Sequence, residues 1–386
     1  MKNLLVVFAL CATTLFAQTA APFGLVGPRM QEFVDKGEVA GVVTLIATRD
    51  KVIHVSAVGK TDLAGQRQMR RDDIFWIASM SKPVTAVCVA LLVDAGKLAF
   101  DDPVEKYLPA FSDLKIKDNG QLLKPSRAIT LRDVLTHTSG LTDVTSRDPH
   151  STLEQTSKRI AQEALSFQPG SRWSYSTAGF DVVGRVVEVV SGMPFDRFLQ
   201  NRLLDPLGMN DTSFWISQEK YARWAHSYRW TPEEHALRET TIPFLYGTDV
   251  TDRRRPPLGG AGLFSTADDI ARFYQMMLNK GVVKGRHILM PETVAELTRK
   301  QTGDLRARPG MPWAIGFSIV EDPTAMEANT ILSSGSFGHG GAFSTQSWAD
   351  PSKNMIWIVM FERTGKGNPD NSDVRIAFQE AAAASM

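Results

Sequence analysis

Two cysteines in 386 residues leave little room for thiol chemistry. Cys11 lies in an apolar N-terminal run, so a chain that loses that run keeps only Cys88 and can form no intrachain disulfide. Cys88 sits inside the apolar stretch 84–93, a setting for a small core residue and not for an accessible, electropositive thiol. A cysteine enzyme is excluded. An excess of charge of one sign is also missing. The 43 Lys+Arg offset 42 Asp+Glu for a formal net charge of +1, which argues against a general nucleic-acid binder. The one dense basic run, Arg253-Arg254-Arg255 ahead of Pro256-Pro257, reads as an exposed loop.

Long apolar runs are absent too: no segment reaches the roughly 20 residues of a membrane-spanning helix, so no integral membrane span is expected. The apolar run 4–16 follows Lys2 and gives way to small residues at Ala17, Ala20 and Ala21. That pattern reads as a signal peptide over 1–21 and predicts an exported protein, periplasmic or secreted. Losing Lys2 with it leaves 42 basic against 42 acidic residues. Several chemical fingerprints are missing as well. There is no Gly-x-Ser-x-Gly elbow, no His-Glu-x-x-His zinc motif and no phosphate loop. Gly259-Gly260-Ala261-Gly262 lacks the strand–helix setting of a dinucleotide site and instead suits close passage of backbone past a neighbour.

What is present points to an α/β protein. The β-branched runs 41–46 and 52–58, joined through Arg49-Asp50-Lys51, predict an antiparallel hairpin. Strands are also expected over 313–320, 342–348 and 355–361. Between these ends the pattern is helical: 79–95 stopped by Gly96, 180–190 stopped near Gly192, a helix opened by Ser265-Thr266-Ala267-Asp268 as a capping box and closed by Gly281, and a last helix over 372–383. The expected architecture is an α+β sandwich whose antiparallel sheet, flanked by helices, is built from both termini. Its parts are an α/β sheet domain over 22–78 and 300–386, and an inserted, mostly helical domain over 79–299, with the active site where the two meet.

The chemistry-bearing pattern is Ser-x-x-Lys, which occurs at Ser79, Ser112 and Ser217. Only Ser79 opens a long, almost wholly apolar helix, which must be buried on nearly all sides. Residues three apart share a helix face, so Lys82 can reach the Ser79 hydroxyl. Burial and the helix dipole both lower the pKa of Lys82 toward that of a usable base. Tyr175, in Trp173-Ser174-Tyr175-Ser176-Thr177, falls on a loop before the next helix, where it either packs with its hydroxyl satisfied or exchanges a proton with Ser79. Gly338-His339-Gly340-Gly341-Ala342 is expected to enter a strand. There it either makes a tight turn or bulge, or lets backbone approach a ligand, with the Ala342 N–H joining the Ser79 N–H as an oxyanion hole.

Five segments in order then carry a resemblance: Ile77-Ala78-Ser79-Met80-Ser81-Lys82-Pro83, Val134-Leu135-Thr136-His137-Thr138-Ser139-Gly140-Leu141, Pro169-Gly170 with Tyr175-Ser176, Pro206-Leu207-Gly208-Met209, and Gly259 through Thr266. Together they resemble the serine β-lactamase-like superfamily of class C β-lactamases, D-Ala-D-Ala carboxypeptidases and family VIII carboxylesterases. The resemblance implies Ser79 as nucleophile, Lys82 and Tyr175 as its proton-transfer partners, and His339-Gly340-Gly341 as the wall of the site. It implies no cofactor and no metal. Two positions depart from the lactamases. Thr177 stands at the third place of Tyr-x-Asn, and His339-Gly340-Gly341 replaces Lys-Thr-Gly, so the grip on a lactam's amide and carboxylate is weakened. The implied activity is therefore carboxylester hydrolysis of short acyl esters through an acyl-enzyme. Lactam or D-Ala-D-Ala peptide hydrolysis is the alternative, and a catalytically silent penicillin-binding-type protein is the rival. The implied substrates are small esters, lactams or peptides. His137 is expected to hold a helix end through its ring nitrogens.

Overall fold

The computed structural model describes residues 22–118, 120–144, 148–326, 330–367 and 372–386. The expected signal peptide at 1–21 lies outside them. The centre of the molecule is a seven-stranded, wholly antiparallel sheet drawn from both ends of the chain. Its strands are β1 (Gly41–Ala47), β2 (Val52–Asp62), β3 (Arg67–Gln68), β4 (Ser318–Ile319), β5 (Phe337–Gly340), β6 (Gln346–Asp350) and β7 (Met355–Met360). The spatial order is β4-β5-β6-β7-β1-β2-β3.

Every residue of β1 and β7 is buried, because helices cover both faces of the sheet. The period of two sorts their side chains. Val42 and Ile46 with Trp357 and Val359 pack beneath helices α1 (Val26–Asp35) and α6 (Asp373–Ala383). Val43, Leu45, Ile356 and Ile358 join a larger core on the opposite face. Helix α5 (Ala267–Leu278) lies on that second face, where its Tyr274 bonds to Ser347 of β6. Helices α2 (Ser81–Asp94), α3 (Leu131–Leu135) and α4 (Ala178–Ser191) fill out the same core. Residues 81–92 of α2 are all buried, as an apolar helix without a polar stripe requires. Cys88 is among them, and its burial pushes the thiol far above its ordinary pKa.

Four local expectations need correction. Ser265 does not open helix α5, because it pairs with Phe75 in a two-residue strand. Thr266 is the cap and accepts the Asp269 N–H. The segment 313–320 is strand only at Ser318–Ile319, since it turns at Gly316, whose φ is 77°. A Cβ there would lie 2.4 Å from the Ala86 Cβ, so the chain bends tightly around α2. The expected strand 342–348 begins only at Gln346. His339 and Gly340 end the strand before it, while Gly341 and Ala342 belong to the turn between β5 and β6. Finally, the Arg253–Arg255 run is not exposed throughout: Arg255 is buried and donates to the carbonyls of Phe214 and Val250. Among the described residues, no helix is long and apolar enough to cross a membrane.

Candidate active site

Ser79 does not cap the apolar helix. It lies in a 3₁₀ turn, Ala78–Met80, that feeds directly into α2. Ala78 holds a left-handed φ of 45°, a conformation that an L-residue keeps only when its surroundings enforce it. Three contacts do so here. Trp76 Nε1–H donates to the Ala261 carbonyl at 2.7 Å, the Ile77 N–H donates to the Leu263 carbonyl at 3.1 Å, and Ser81 Oγ accepts the Leu263 N–H at 3.1 Å. From the other side the β5–β6 turn presses on the same residues. A Cβ on Gly341 would lie 2.8 Å from the Ile77 carbonyl oxygen, so only glycine lets the turn come this close.

Lys82 is completely buried. Its Nζ lies 3.1 Å from Ser79 Oγ, 2.8 Å from the Gly260 carbonyl oxygen and 3.4 Å from Thr177 Oγ1. The glycines at 259 and 260 make this approach possible. A Cβ on either would lie 2.5 Å from a carbonyl oxygen, that of Phe180 for Gly259 and that of Thr177 for Gly260. Desolvation lowers the Lys82 pKa to about 7, against the pull of the carboxylates of Asp143 and Asp181. Near neutral pH a large fraction of this amine is therefore uncharged, with its lone pair within reach of the Ser79 hydroxyl proton.

Tyr175 lies on the loop before α4, as its sequence context suggests, with its ring centroid 4.6 Å from Lys82 Nζ. Around it stands an aromatic group gathered from four parts of the chain. His137 is 4.4 Å away between ring centroids, and Trp173, Trp313 and His339 are each 6.2 Å away. His339 is buried, with its Nδ1–H donating to the Gly340 carbonyl at 2.7 Å. Ser79, Tyr175, His339, Gly340, Gly341 and Ala342 all line one cavity of about 480 Å³. Trp313, Met311, Leu332, Trp348 and Ile376 also line it, together with the polar side chains of Arg308, Arg375 and Gln379. Thr177 stays back from it, against Lys82.

Of the expected site residues, the fold brings Ser79, Lys82, Tyr175, Thr177, His339, Gly340, Gly341 and Ala342 into one neighbourhood. Four further residues were not visible in the pattern. The Gly260 carbonyl holds Lys82. Asp143 accepts the Ser176 hydroxyl and the Ala178 N–H at 3.0 and 2.8 Å. Buried Asp181 accepts the Gly260 N–H at 3.2 Å. Trp313 supplies an aromatic wall. The glycine cluster alone offered a sequence signal, as a place where backbone must pass close. Among the described residues, no group of three or more His, Cys, Asp or Glu could hold a metal ion.

The family profile described as Beta-lactamase matches residues 28–382. An uncharacterized protein of Mycobacterium tuberculosis is 33% identical over 364 residues, 86% of this chain and 88% of that one. Esterase EstB of Burkholderia gladioli is 29% identical, with 93% of each chain covered. A putative D-alanyl-D-alanine carboxypeptidase of Salmonella typhimurium is 27% identical over 79% of this chain and 73% of its own. Among solved structures, EstCE1, a hydrolase with promiscuous acyltransferase activity, superposes with a TM-score of 0.79 at 26% identity, over 93% of this chain and 97% of its own.

Proposed function

The chain belongs to the beta-lactamase family, and on that premise we propose that it is a serine hydrolase that cleaves carboxylic esters through an acyl-enzyme on Ser79. The observation that carries the reading is the Lys82 amine, buried, poised near neutrality and 3.1 Å from the Ser79 hydroxyl. In this mechanism uncharged Lys82 takes the Ser79 proton as Oγ attacks the acyl carbon. The N–H groups of Ser79 and Ala342 stabilise the oxyanion, and Tyr175 delivers a proton to the departing alkoxide. The Lys82 ammonium then restores the Tyr175 phenol, water attacks the acyl-enzyme and gives its proton to Lys82, and Ser79 Oγ recovers that proton as its bond to the acyl carbon breaks and the acid leaves. The cavity falls within the roughly 300–1,000 Å³ of pockets that hold small organic ligands, so a short acyl ester fills only part of it. The apolar lining at Met311, Leu332, Trp348 and Ile376 suits an apolar alcohol portion. The export expected from residues 1–21 belongs to the same proposal and places the reaction outside the cytoplasm.

Esters are favoured over lactams by the residues at the wall. A lactamase must hold the substrate's carboxylate and side-chain amide, and this chain offers His339 and Thr177 where the lactamases it resembles carry lysine and asparagine. Losing a charged hydrogen bond costs about 1.5–3 kcal/mol, and losing the neutral one about 1 more. Where those bonds tighten in the transition state, the deficit is about two to three factors of ten in rate. An ester needs neither contact. The test is kcat/KM for p-nitrophenyl butyrate against a chromogenic cephalosporin on the purified protein. A better ester is expected, and a better cephalosporin would replace this reading with a β-lactamase.

A further inference from the structure

His137 is the residue of the Thr136-His137-Thr138-Ser139-Gly140 segment that the mechanism above leaves without a role. Its position is unusual. It is 1% exposed and has a left-handed φ of 61° at the exit of α3. It grips the Tyr175 loop at two points. Its backbone carbonyl accepts the Ser174 N–H at 2.9 Å, and its ring Nδ1 accepts the Ser176 N–H at 3.1 Å. The residue between those two anchors is Tyr175, whose ring leans on the imidazole at 4.4 Å with 31° between the planes. Phe180 and Trp313 close on the imidazole at 5.4 and 5.0 Å.

The hydrogen bonds also fix the chemistry of the ring. An Nδ1 that accepts an N–H carries no proton, so the proton sits on Nε2. Nε2 is buried and has no hydrogen-bond partner among the described residues. The Nδ1 lone pair is therefore occupied and Nε2 is walled off, so the imidazole has no open route for relaying a proton to Ser79 or to a leaving group. Burial and the nearby Lys82 hold its pKa well below the ordinary value, so it adds no positive charge beside an amine that must lose one.

We propose that His137 is a positioning residue for Tyr175: its neutral imidazole and its carbonyl clamp the backbone on both sides of Tyr175 and set the phenol against Lys82 and Ser79. This rests on the hydrolase reading above. Two substitutions separate acceptor from shape. His137→Phe keeps an aromatic ring but leaves the Ser176 N–H without its acceptor. His137→Asn suits the left-handed backbone and places Oδ1 where Nδ1 was. The expected result for His137→Phe is a kcat at least tenfold lower, a KM within threefold and at least tenfold faster amide exchange in a peptide spanning Ser174–Ser176. His137→Asn should keep kcat within fivefold of the native protein.

Should the Phe variant fail to fold, His137→Asn against His137→Gln carries the test, since Gln moves the acceptor toward the Nε2 position. Gln at least tenfold below Asn supports the clamp. Phe with native turnover and exchange, or Asn no better than Phe or Gln, overturns it. The hydrolase reading is read separately from the native protein. If native protein takes up no fluorophosphonate at Ser79, that reading fails and the clamp falls with it. If native protein is labelled but the His137 variants turn over like native, only the clamp fails.

Discussion

Burial brings the Lys82 amine down from the ordinary lysine value of 10.5 to about 7. Two consequences can be measured. In the proposed mechanism activity requires the uncharged amine, so kcat/KM should rise with pH along an acid limb with its midpoint near 7 and should collapse in Lys82→Arg, whose charge cannot be shed. Stability moves with the same group. A lysine whose folded pKa is depressed makes the unfolded chain bind more protons between about 7 and 10.5, so stability rises with pH across that window and its deficit is complete below it. The gap corresponds to about 5 kcal/mol. Lys82→Met should therefore be inactive yet melt above the native protein at about pH 6, with the difference shrinking toward about pH 10. A Met variant that melts below native in the acidic sample would show that the buried charge is not the cost described here. The pair itself was legible in the sequence because Ser79 and Lys82 are three apart on one turn. Gly260, whose carbonyl holds the amine, lies 178 positions away from it and left only the trace of a glycine cluster.

At the level of whole elements, helix α2 was readable from its unbroken apolar character and the β1–β2 hairpin from its β-branched runs and turn. The segments that fold around other elements were not. Residues 313–320 read as a strand, yet Gly316 turns them about α2, a contact no local pattern encodes. The β5–β6 turn is similar: its glycines were visible, but not that Gly341 would abut Ile77. That contact makes a prediction. In Gly341→Ala the new Cβ meets Thr345 Oγ1, a movable side chain, at 2.1 Å and the Ile77 carbonyl, which is backbone, at 2.8 Å. Overpacking of this kind costs about 1–3 kcal/mol. The relief must come from the turn that carries Ser79, so kcat should fall at least tenfold along with a lowered melting temperature. Calorimetry and ester kinetics on the same preparation check both, and native turnover would separate Gly341 from the geometry of Ser79.

Across the whole molecule, the fold draws one sheet from strands near both ends of the chain and joins six separate stretches at one cavity. The hairpins at each end made the two-ended sheet legible, because each could be recognised from its strand-forming runs and the turn residues between them. The aromatic group around Tyr175 was not legible as a unit. Its members come from positions 137, 173, 313 and 339, and only the closed fold shows that they meet. In the proposed mechanism this convergence is what sets Ser79 apart, as nucleophile, from the other two serines that precede a lysine by three. Intact-protein and peptide mass spectrometry after treatment with a fluorophosphonate measures it directly. One adduct per chain is expected, located on Ser79 and lost in both Ser79→Ala and Lys82→Arg. An unmodified protein, or an adduct at Ser112, Ser217 or any other residue, would contradict it.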